Sequence, residues 1–350
     1  MAFIHSIASS VPAQILKQEE IKNFSSRVFD PGNRLYPGLI KVFDTAQIEN
    51  RPVLENLNWY ETGHSFKEKN ELFLSHALSL AQLAGEKALQ EASLKPEEIE
   101  ILLVVTSSGF VTPSLDARLM DLLGLKEDCI RLPITGLGCA GGAYGLSRAR
   151  DFAKAYPGKK ILLIAVETCT LTFRPGDKRK ANYIALSLFS DGAAATIISS
   201  EPKINSIELQ SSYSYKWRDS LNVMGWDVED DGLQVIFDKS IPFLIMENYG
   251  EIMDAFFNRE KLSFSDIQHF LFHPGGAKVI DAFSSVLKIE RERFYYTIEI
   301  LRKYGNMSSP TLLFVIEEFL KDGKFSKGEE GLMTAMGPGF SCEALLFKTS

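Results

Sequence analysis

The two halves of this chain repeat one pattern, and this repeat constrains the fold more than any other feature. PEEIEILLVVTSSG, which ends at Gly109, resembles FSDIQHFLFHPGG, which ends 167 residues later at Gly276. At the same offset, a glycine-led helix start at Cys139 corresponds to one at Asn306. A repeat of this length predicts two similar α/β halves packed about a pseudo-twofold axis, over residues 1–205 and 206–350. Since glycine before a helix is common, a chance match is the alternative.

Buried strands and helices alternate within each half. The run Ile101–Thr106 is apolar throughout and rich in branched residues, which is typical of a strand buried on both faces. Strands are also predicted over 160–169 and 190–200, helices over 75–92, 113–123, 242–257 and 309–321, and hairpins and loops over 207–240. Strands separated by helices indicate a βαβ architecture. Residues 1–70 carry few motifs.

Cys139 lies in the glycine-rich stretch GLGCAGGAYGLSRA (136–149), which follows a strand-like segment and continues with apolar residues at helical spacing. This pattern predicts a tight turn that opens a buried helix. Backbone N–H groups and the helix dipole at such a turn favour a thiolate over a thiol, so Cys139 is a candidate nucleophile. The alternative is a small buried apolar residue, the usual role of a free cysteine.

Composition excludes several classes of function. The net charge of −7 argues against a general binder of nucleic acid or membrane surfaces. The four cysteines (129, 139, 169 and 342) form no CxxC pair and have no histidine at metal-ligand spacing, so neither a zinc site nor a disulfide framework is expected. The N-terminal stretch lacks the features of a signal peptide, and no apolar run is long enough to span a membrane. We therefore expect a soluble cytoplasmic protein.

Three distant residues form a candidate catalytic set. If the halves are related by the repeat, Cys139 and Asn306 occupy equivalent helix starts at the shared interface, and His273 follows a buried strand at the same edge. An ion pair with His273 would hold Cys139 as a thiolate able to carry an acyl group. His273 and Asn306 can both donate hydrogen bonds to an enolate, so the set suits acyl transfer coupled to carbon–carbon bond formation without a metal or redox cofactor. The alternatives are a core histidine and a helix N-cap asparagine.

Several motifs, in order and in spacing, resemble the type III polyketide synthases, the chalcone synthase-like enzymes of the thiolase fold. They are GCAGG around Cys139, VETCTLTFR from Val166, LFSDGAA from Leu188, MGWDVEDDGLQV from Met224, FHPGG at 272–276, YGNMSSP at 304–310 and GPGF at 337–340. The resemblance implies a layered αβαβα arrangement, a homodimer, and acyl-CoA and malonyl-CoA as substrates. It also implies that Cys139, His273 and Asn306 are the catalytic triad.

The resemblance assigns further residues to the substrate cavity. Phe189 matches a gatekeeping aromatic residue between the coenzyme A tunnel and the cavity, and Phe237 matches its partner. Positions that shape the cavity or its acyl tunnel are Ser107, Thr112, Glu167, Cys169, Thr172 and Ser308, and the loop Gly337, Pro338, Gly339 and Phe340 lines the cyclisation pocket. Cys169 and Thr112 replace larger or different residues of the plant enzymes. We therefore expect a tunnel for a long acyl starter, with alkylpyrone or alkylresorcinol products.

One region departs from the family pattern. Many relatives carry a basic cluster for the coenzyme A phosphates, whereas this chain has Ile48-Glu49-Asn50-Arg51 there. Arg51 is the candidate phosphate ligand that remains, although Lys41 or basic residues from elsewhere could serve.

Two other functions stay open at this point. A ketoacyl synthase III of fatty-acid initiation shares the Cys-His-Asn chemistry but takes an acyl-carrier-protein substrate and performs one condensation. A catalytically silent homologue would bind acyl-CoA or a partner protein without turnover. The HPGG and GNMSS motifs favour the polyketide family over the first, and the intact triad argues against the second.

Overall fold

The computed structural model describes residues 1–32 and 36–350. The strands are β1 (Phe3–Ser10), β2 (Ile15–Lys17), β3 (Asn50–Pro52), β4 (Ile99–Thr106), β5 (Ile130–Thr135), β6 (Lys160–Thr168), β7 (Asp191–Ser199), β8 (Ile207–Lys216), β9 (Met224–Glu229), β10 (Gly232–Phe237), β11 (Ile267–Phe272), β12 (Glu330–Gly337) and β13 (Ser341–Thr349). The helices are α1 (Gln18–Val28), α2 (Tyr36–Thr45), α3 (Leu57–Glu61), α4 (Phe66–Ala92), α5 (Leu115–Leu123), α6 (Gly141–Ala155), α7 (Lys180–Leu188), α8 (Ile241–Glu260), α9 (Ala277–Leu287), α10 (Tyr295–Tyr304) and α11 (Thr311–Asp322).

The strand order repeats between the two halves. Across the described residues a nine-stranded sheet runs β11-β12-β13-β8-β1-β7-β6-β4-β5, and the two halves join where Phe3 of β1 pairs with Glu208 of β8. In the first half β4 is parallel to β6, and β7 is antiparallel to both β6 and β1. In the second half β11 is parallel to β12, and β13 is antiparallel to both β12 and β8. The predicted pair of similar α/β halves is therefore confirmed.

Alternate residues of the strands face different helix layers. In β4, Ile101 and Val105 point toward a core shared with α6 and α11, whereas Leu102 and Val104 point toward α4. The second half repeats this arrangement, because Leu271 of β11 joins the central core and its neighbours pack on α8 and α9. The result is the αβαβα layering of the thiolase fold, with α6 and α11 as the central layer.

Close packing of the two central helices requires glycine at the start of α6. A Cβ atom at Gly142 would lie 2.2 Å from the carbonyl oxygen of Ser309, and one at Gly145 would lie 2.8 Å from Leu163. Gly142 therefore lets the start of α6 approach the start of α11, and Gly145 lets the same helix pack closely on β6. This approach brings the two equivalent helix starts together.

The element predictions need three corrections. Helix α4 begins at Phe66, before the predicted 75, because Ser65 and Glu68 form a capping box there. Strand β8 is a long strand inside the sheet, although only loops and hairpins were predicted over 207–240. Strand β1 was not predicted, since its serines look polar, yet Ser6 and Ser10 donate hydrogen bonds to carbonyl oxygens of α4. In the described part of the chain no helix is long and apolar enough to cross a bilayer.

Candidate active site

Cys139 sits in a short 3-10 turn, Gly138–Ala140, that leads into α6 as the sequence predicts. Gly138 has a positive φ of 46°, and its N–H donates a 2.9 Å hydrogen bond to Ser107 Oγ. A Cβ at Gly138 would lie 2.8 Å from Pro338 Cδ, so a side chain would not fit without displacing that loop. Cys139 is only 6% exposed. The turn therefore presents the sulfur to the interior of the protein.

Asn306 faces this sulfur from the equivalent position of the second half. Its Oδ1 and Nδ2 atoms lie 3.9 and 4.0 Å from Cys139 Sγ. Oδ1 also accepts a 2.7 Å hydrogen bond from the backbone N–H of Ser308, which has a positive φ of 62°. The backbone of Asn306 is bridged to Phe189: its N–H donates to Leu188 O, and its carbonyl accepts from Ser190 N–H, both at 2.9 Å.

His273 completes the set at the end of β11. Its backbone N–H donates a 2.8 Å hydrogen bond to Thr334 O, which holds His273 against β12, and its side chain is buried. Neither ring nitrogen has a hydrogen-bond partner among the described residues. We define the triad chamber as the small cavity lined by Cys139, Met224, Phe237, Ile241, His273, Gly275, Val279, Asn306 and Met336. The structure thus brings the three predicted residues into one enclosed space.

Burial disfavours charge on both the cysteine and the histidine. Burial raises the pKa of Cys139 to about 11, against the lowering effect of hydrogen bonds from Ser308 and Asn306. Burial also lowers the pKa of His273 to about 3. Both directions favour a neutral pair in this closed chamber. The hydrogen-bonded ion pair that the sequence predicts between Cys139 and His273 is not formed in this structure.

Glu167 lies beneath the chamber and ties its two halves together. Its carboxylate accepts hydrogen bonds from Ser107 N–H (2.9 Å), Ser108 Oγ (2.7 Å) and Ser309 Oγ (2.8 Å). Burial raises the pKa of Glu167 to about 7 although these hydrogen bonds oppose the rise. Sequence reasoning missed Ser108 and Ser309. Each belongs to a pair of serines that could have been noticed, one pair directly after β4 and the other shortly before α11. The network connects the turn at Cys139 with the start of α11.

The two predicted gate aromatics belong to one apolar cluster, but they line different cavities. Phe237 lines the triad chamber, and the Phe189 ring lies 6.1 Å from that of Trp226. Phe189 instead lines a second cavity, which we call the apolar pocket. It is formed by Leu16, Ile21, Phe24, Arg51, Val53, Leu57, Tyr60, Cys169, Thr170, Thr172, Phe173, Ala185, Leu186 and Phe189. Predicted tunnel residues Cys169 and Thr172 therefore meet Phe189 in this pocket.

The loop from Gly337 to Phe340 supports the nucleophile turn. A Cβ at Gly337 would lie 2.4 Å from Leu137 O, and Pro338 contacts Gly138. Gly339 accepts a hydrogen bond from Ser220 Oγ, and Phe340 is fully buried with its ring 4.9 Å from Trp217. The loop packs behind Cys139, and within the described residues its neighbour Met336 lines the chamber.

The structure contradicts the assignment of Arg51, whereas the assignment of Thr112 stays a prediction. Arg51 is 2% exposed and its Nη1 donates a 2.8 Å hydrogen bond to the carbonyl of Phe189, so it does not face a phosphate group in solvent. Thr112 is exposed on the loop between β4 and α5 and does not line the triad chamber of this chain. Neither the burial of Arg51 nor the exposure of Thr112 was predictable, because both residues lie in segments without helical or strand periodicity.

A third cavity of about 180 Å³ opens beside the chamber and shares Phe237, Ile241, Gly275 and Val279 with it. We call it the entrance pocket. Its lining is Val42, Thr45, Ala46, Lys180, Ile184, Leu188, Phe237, Asp238, Lys239, Ile241, Pro242, Gly275, Gly276, Ala277, Lys278 and Val279. This lining includes the first residues of α7, α8 and α9. Sequence reasoning did not find its three lysines, which belong to separate segments.

Two related α/β halves with cysteine, histidine and asparagine at their interface define a condensing enzyme of the thiolase-like fold. The chain matches the family models of chalcone and stilbene synthases, with the N-terminal domain over residues 1–202 and the C-terminal domain over 208–350. It is 41% identical to a putative chalcone synthase of Bacillus subtilis (strain 168), over 99% of this chain and 98% of that one. The chain therefore belongs to the chalcone and stilbene synthase family, the type III polyketide synthases.

Two further relatives show the range of the family. An alpha-pyrone synthesis polyketide synthase-like protein of Mycobacterium tuberculosis is 26% identical over 99% of this chain and 91% of its own. The crystal structure of 1,3,6,8-tetrahydroxynaphthalene synthase from Streptomyces coelicolor A3(2) superposes with a TM-score of 0.95 at 25% identity, covering 99% of both chains.

Proposed function

We propose that this type III polyketide synthase loads an acyl group from acyl-CoA onto Cys139, extends it with malonyl-CoA and cyclises the product. The observation that carries the proposal is the meeting of Cys139, His273 and Asn306 in one buried chamber. No metal or redox cofactor takes part in the proposed reaction, and the coenzyme A thioesters are substrates. We also propose a homodimer, which the unpaired outer edge of β5 in this chain would permit.

Loading needs a nucleophilic sulfur. His273 accepts the thiol proton, and Sγ of Cys139 attacks the thioester carbonyl of the starter. The carbon–sulfur bond to coenzyme A then breaks, and the released coenzyme A thiolate takes the proton back from His273, which returns to its neutral form. The starter is now a thioester of Cys139. The free ring nitrogens of His273 support this role, because no described residue competes for them.

Extension needs a stabilised carbanion. Malonyl-CoA loses carbon dioxide, and the electron pair of the broken bond passes into the thioester as an enolate. Nδ2 of Asn306 and an N–H of His273 donate hydrogen bonds to the enolate oxygen, and the low pKa of His273 suits a neutral donor. The enolate carbon attacks the acyl carbon, Cys139 leaves as the thiolate, and a β-ketoacyl-CoA two carbons longer returns for the next cycle.

The entrance pocket suits the phosphates of coenzyme A. Lys180, Lys239 and Lys278 are exposed on its lining, and none of them forms an ion pair with a described residue. The first turns of α7, α8 and α9 add the positive ends of three helix dipoles. Asp238 is the acidic exception, and its carboxylate accepts a 2.8 Å hydrogen bond from the N–H of Ser240 at the start of α8. These three lysines replace Arg51 in our assignment.

Removing the three lysines is expected to raise KM for acyl-CoA. Exposed charge pairs contribute up to about 1 kcal/mol each, so the triple variant K180A/K239A/K278A should raise KM about 10- to 100-fold with little change in kcat. Steady-state kinetics with acyl-CoA measures the effect, which should shrink at high salt. The triple variant K126A/K203A/K327A carries the same charge change at exposed sites elsewhere and should behave as wild type.

An acyl thioester of N-acetylcysteamine, which lacks the nucleotide, distinguishes phosphate binding from a damaged active site. Its KM should be the same in the wild type and in K180A/K239A/K278A. An equal loss with both thioesters would contradict the assignment.

We further propose that the apolar pocket holds the chain of a long acyl starter and that the products are alkylpyrones or alkylresorcinols. Its lining is mainly aliphatic and aromatic, with side chains from α1, α3 and α7. Cys169 and Thr172 line it together with Phe189. Its free volume in this structure is about 30 Å³, so the proposal requires lining side chains to move when a long chain enters. The relative named for alpha-pyrone synthesis supports this product class.

Narrowing the apolar pocket is expected to shorten the preferred starter. Ala185 of α7 lines the pocket, and Ala185→Phe would exclude about four methylene groups, worth about 3 kcal/mol, so kcat/KM for long acyl-CoA should fall about 100-fold. Acetyl-CoA and butyryl-CoA should react as with wild type. Ala181→Phe, one turn earlier on α7 and outside the pocket, is the matched control. Equal losses for short and long starters would refute the assignment of the pocket.

Product analysis separates the proposal from its rivals. Mass spectrometry of reactions with malonyl-CoA and a panel of acyl-CoA starters should show several condensations followed by ring closure. One condensation without ring closure would indicate ketoacyl synthase III chemistry. An absence of turnover with every starter, together with tight acyl-CoA binding, would indicate the silent homologue.

A further inference from the structure

Arg51 is one of the largest buried side chains of the molecule, and its position is unusual for a cation. It belongs to β3, a strand of three residues, and its guanidinium is held away from solvent. Burial lowers its pKa to about 9, with the nearby carboxyl of Asp191 opposing the shift. A buried cation that is only partly compensated costs stability, so its presence calls for a structural reason.

The guanidinium holds the segment that supports Asn306. Nη1 of Arg51 donates a 2.8 Å hydrogen bond to the carbonyl of Phe189, the C-cap residue that follows α7. The residues on either side of Phe189 form the two backbone hydrogen bonds that bridge this segment to Asn306. The hydrogen bond from Arg51 therefore holds Phe189 in place. Among the described residues, Phe189 forms the isolated strand-like pairing with Asn306 that fixes the backbone there.

The aliphatic stem of Arg51 packs against the residue before Asn306. A Cβ atom at Gly305 would lie 3.0 Å from both Cγ and Cδ of Arg51, and Gly305 has a positive φ of 71°. On the same side, the N–H of Glu49 donates a 2.8 Å hydrogen bond to Arg302 O, near the end of α10. One side chain thus contacts both sides of the bridge, Phe189 and Gly305.

A buried carboxyl group, that of Asp191, lies near the guanidinium of Arg51. Asp191 follows Phe189 by two residues, is fully buried and accepts hydrogen bonds from the N–H groups of Leu54 (3.0 Å) and Thr170 (2.8 Å). Leu54 follows β3, so Asp191 holds the same N-terminal segment from which Arg51 extends. The two buried groups fasten this segment to the start of β7.

We propose that Arg51 is a positioning residue for condensation, which keeps the Asn306 amide beside Cys139 through the carbonyl of Phe189 and the backbone of Gly305. In this role it does not touch the reacting groups, although its side chain also lines the apolar pocket. The inference rests on the proposed function, in which Asn306 acts on the enolate and Cys139 with His273 carries out loading. Loss of Arg51 should therefore impair condensation and leave loading nearly intact.

The test compares two rates in Arg51→Met, which keeps the length of the side chain and removes its donors. Because Arg51 also lines the apolar pocket, the starter is acetyl-CoA, whose reaction does not depend on that pocket. Intact-mass measurement of acetyl-Cys139 gives the loading rate, and carbon dioxide release from malonyl-CoA gives the condensation step. We expect near-normal loading and a loss of about 100-fold in condensation, the effect of a misplacement of about 1 Å. Arg51→Lys, which keeps the charge and one donor, should recover part of this loss.

A double-mutant cycle separates positioning from general damage. If Arg51 acts through Asn306, R51M/N306A should condense no more slowly than N306A alone, because their effects are not additive. Lys69→Met is the matched control, since buried Lys69 on α4 also donates to a backbone carbonyl, that of Phe173, at 2.8 Å. It should lower thermal stability and keep the two rates in their wild-type ratio. If R51M does not fold, the same double-mutant cycle is measured with R51K and R51K/N306A.

Two results would overturn the inference: equal losses of loading and condensation in R51M, or additive losses in the double variant. Both differ from failure of the proposed function, in which the wild-type protein itself would not release carbon dioxide from malonyl-CoA.

Discussion

Replacing Cys139 by alanine is expected to abolish both the acyl-enzyme and polyketide formation. The proposed reaction passes every intermediate through a thioester on this sulfur, and loss of a catalytic nucleophile costs about 10⁴-fold or more in kcat. The variant should fold, because the substitution removes only the sulfur atom of a small buried side chain. Mass spectrometry of the intact protein after incubation with acyl-CoA should show no added acyl mass, and product analysis should show no polyketide.

Cys169→Ala provides the control for this prediction. Cys169 is also buried, at 2% exposed, and burial, with smaller contributions from Glu167, Asp191 and nearby Cys139, raises its pKa well above the usual value. It should load and condense, because its contact is with the apolar pocket and not with His273 or Asn306. An acyl group mapped to Cys169 in wild-type protein, or turnover by Cys139→Ala near the wild-type rate, would contradict the assignment of the nucleophile.

The repeat in the sequence was enough to predict the two similar α/β halves and the meeting of Cys139 with Asn306. Both residues start helices of the central layer, and the glycines after Cys139 show that this layer is tightly packed. His273 was predictable for a related reason, since it ends a buried strand whose register with β12 brings it to the same edge. These features are local sequence patterns, and the symmetry of the fold brings the residues that carry them into one site.

What the sequence did not predict depends on contacts between distant segments. Arg51 was predicted to bind phosphate because it is the basic residue that remains where many related enzymes carry a basic cluster. In the structure it is buried and donates a hydrogen bond to a carbonyl 138 residues away. The entrance pocket unites lysines from three segments, and Glu167 receives its hydrogen bonds from three serines in two segments. No periodicity reports such convergence, because it appears only when the chain is folded.

Iodoacetamide is expected to alkylate Cys139 far faster than Cys129 or Cys342 at neutral pH. Burial alone raises the pKa of Cys139 and Cys129 to about 11 and that of Cys342 to about 12, so burial would make all three unreactive. The proposed mechanism requires His273 to take the proton of Cys139 when the chamber opens to substrate. A thiolate with a pKa near 7 is about 10³- to 10⁴-fold more abundant at pH 7 than one with a pKa of 11, and its lower nucleophilicity leaves a rate advantage of about 10²-fold.

Exposure does not explain such a difference, since Cys139 is 6% and Cys129 is 7% exposed. The pH profile decides the cause. If His273 lowers the pKa of Cys139, the alkylation rate should rise with pH through the neutral range and level off above this pKa. Below this pKa the rate should fall, because the thiol is protonated. His273→Gln removes the proton acceptor, so the rise should move to a pH of about 11, where burial places the thiol. Mass spectrometry of tryptic peptides follows each cysteine separately, with Cys129 as the internal reference. Equal rates for Cys139 and Cys129 in wild-type protein, or an unchanged profile in His273→Gln, would show that His273 does not activate the sulfur.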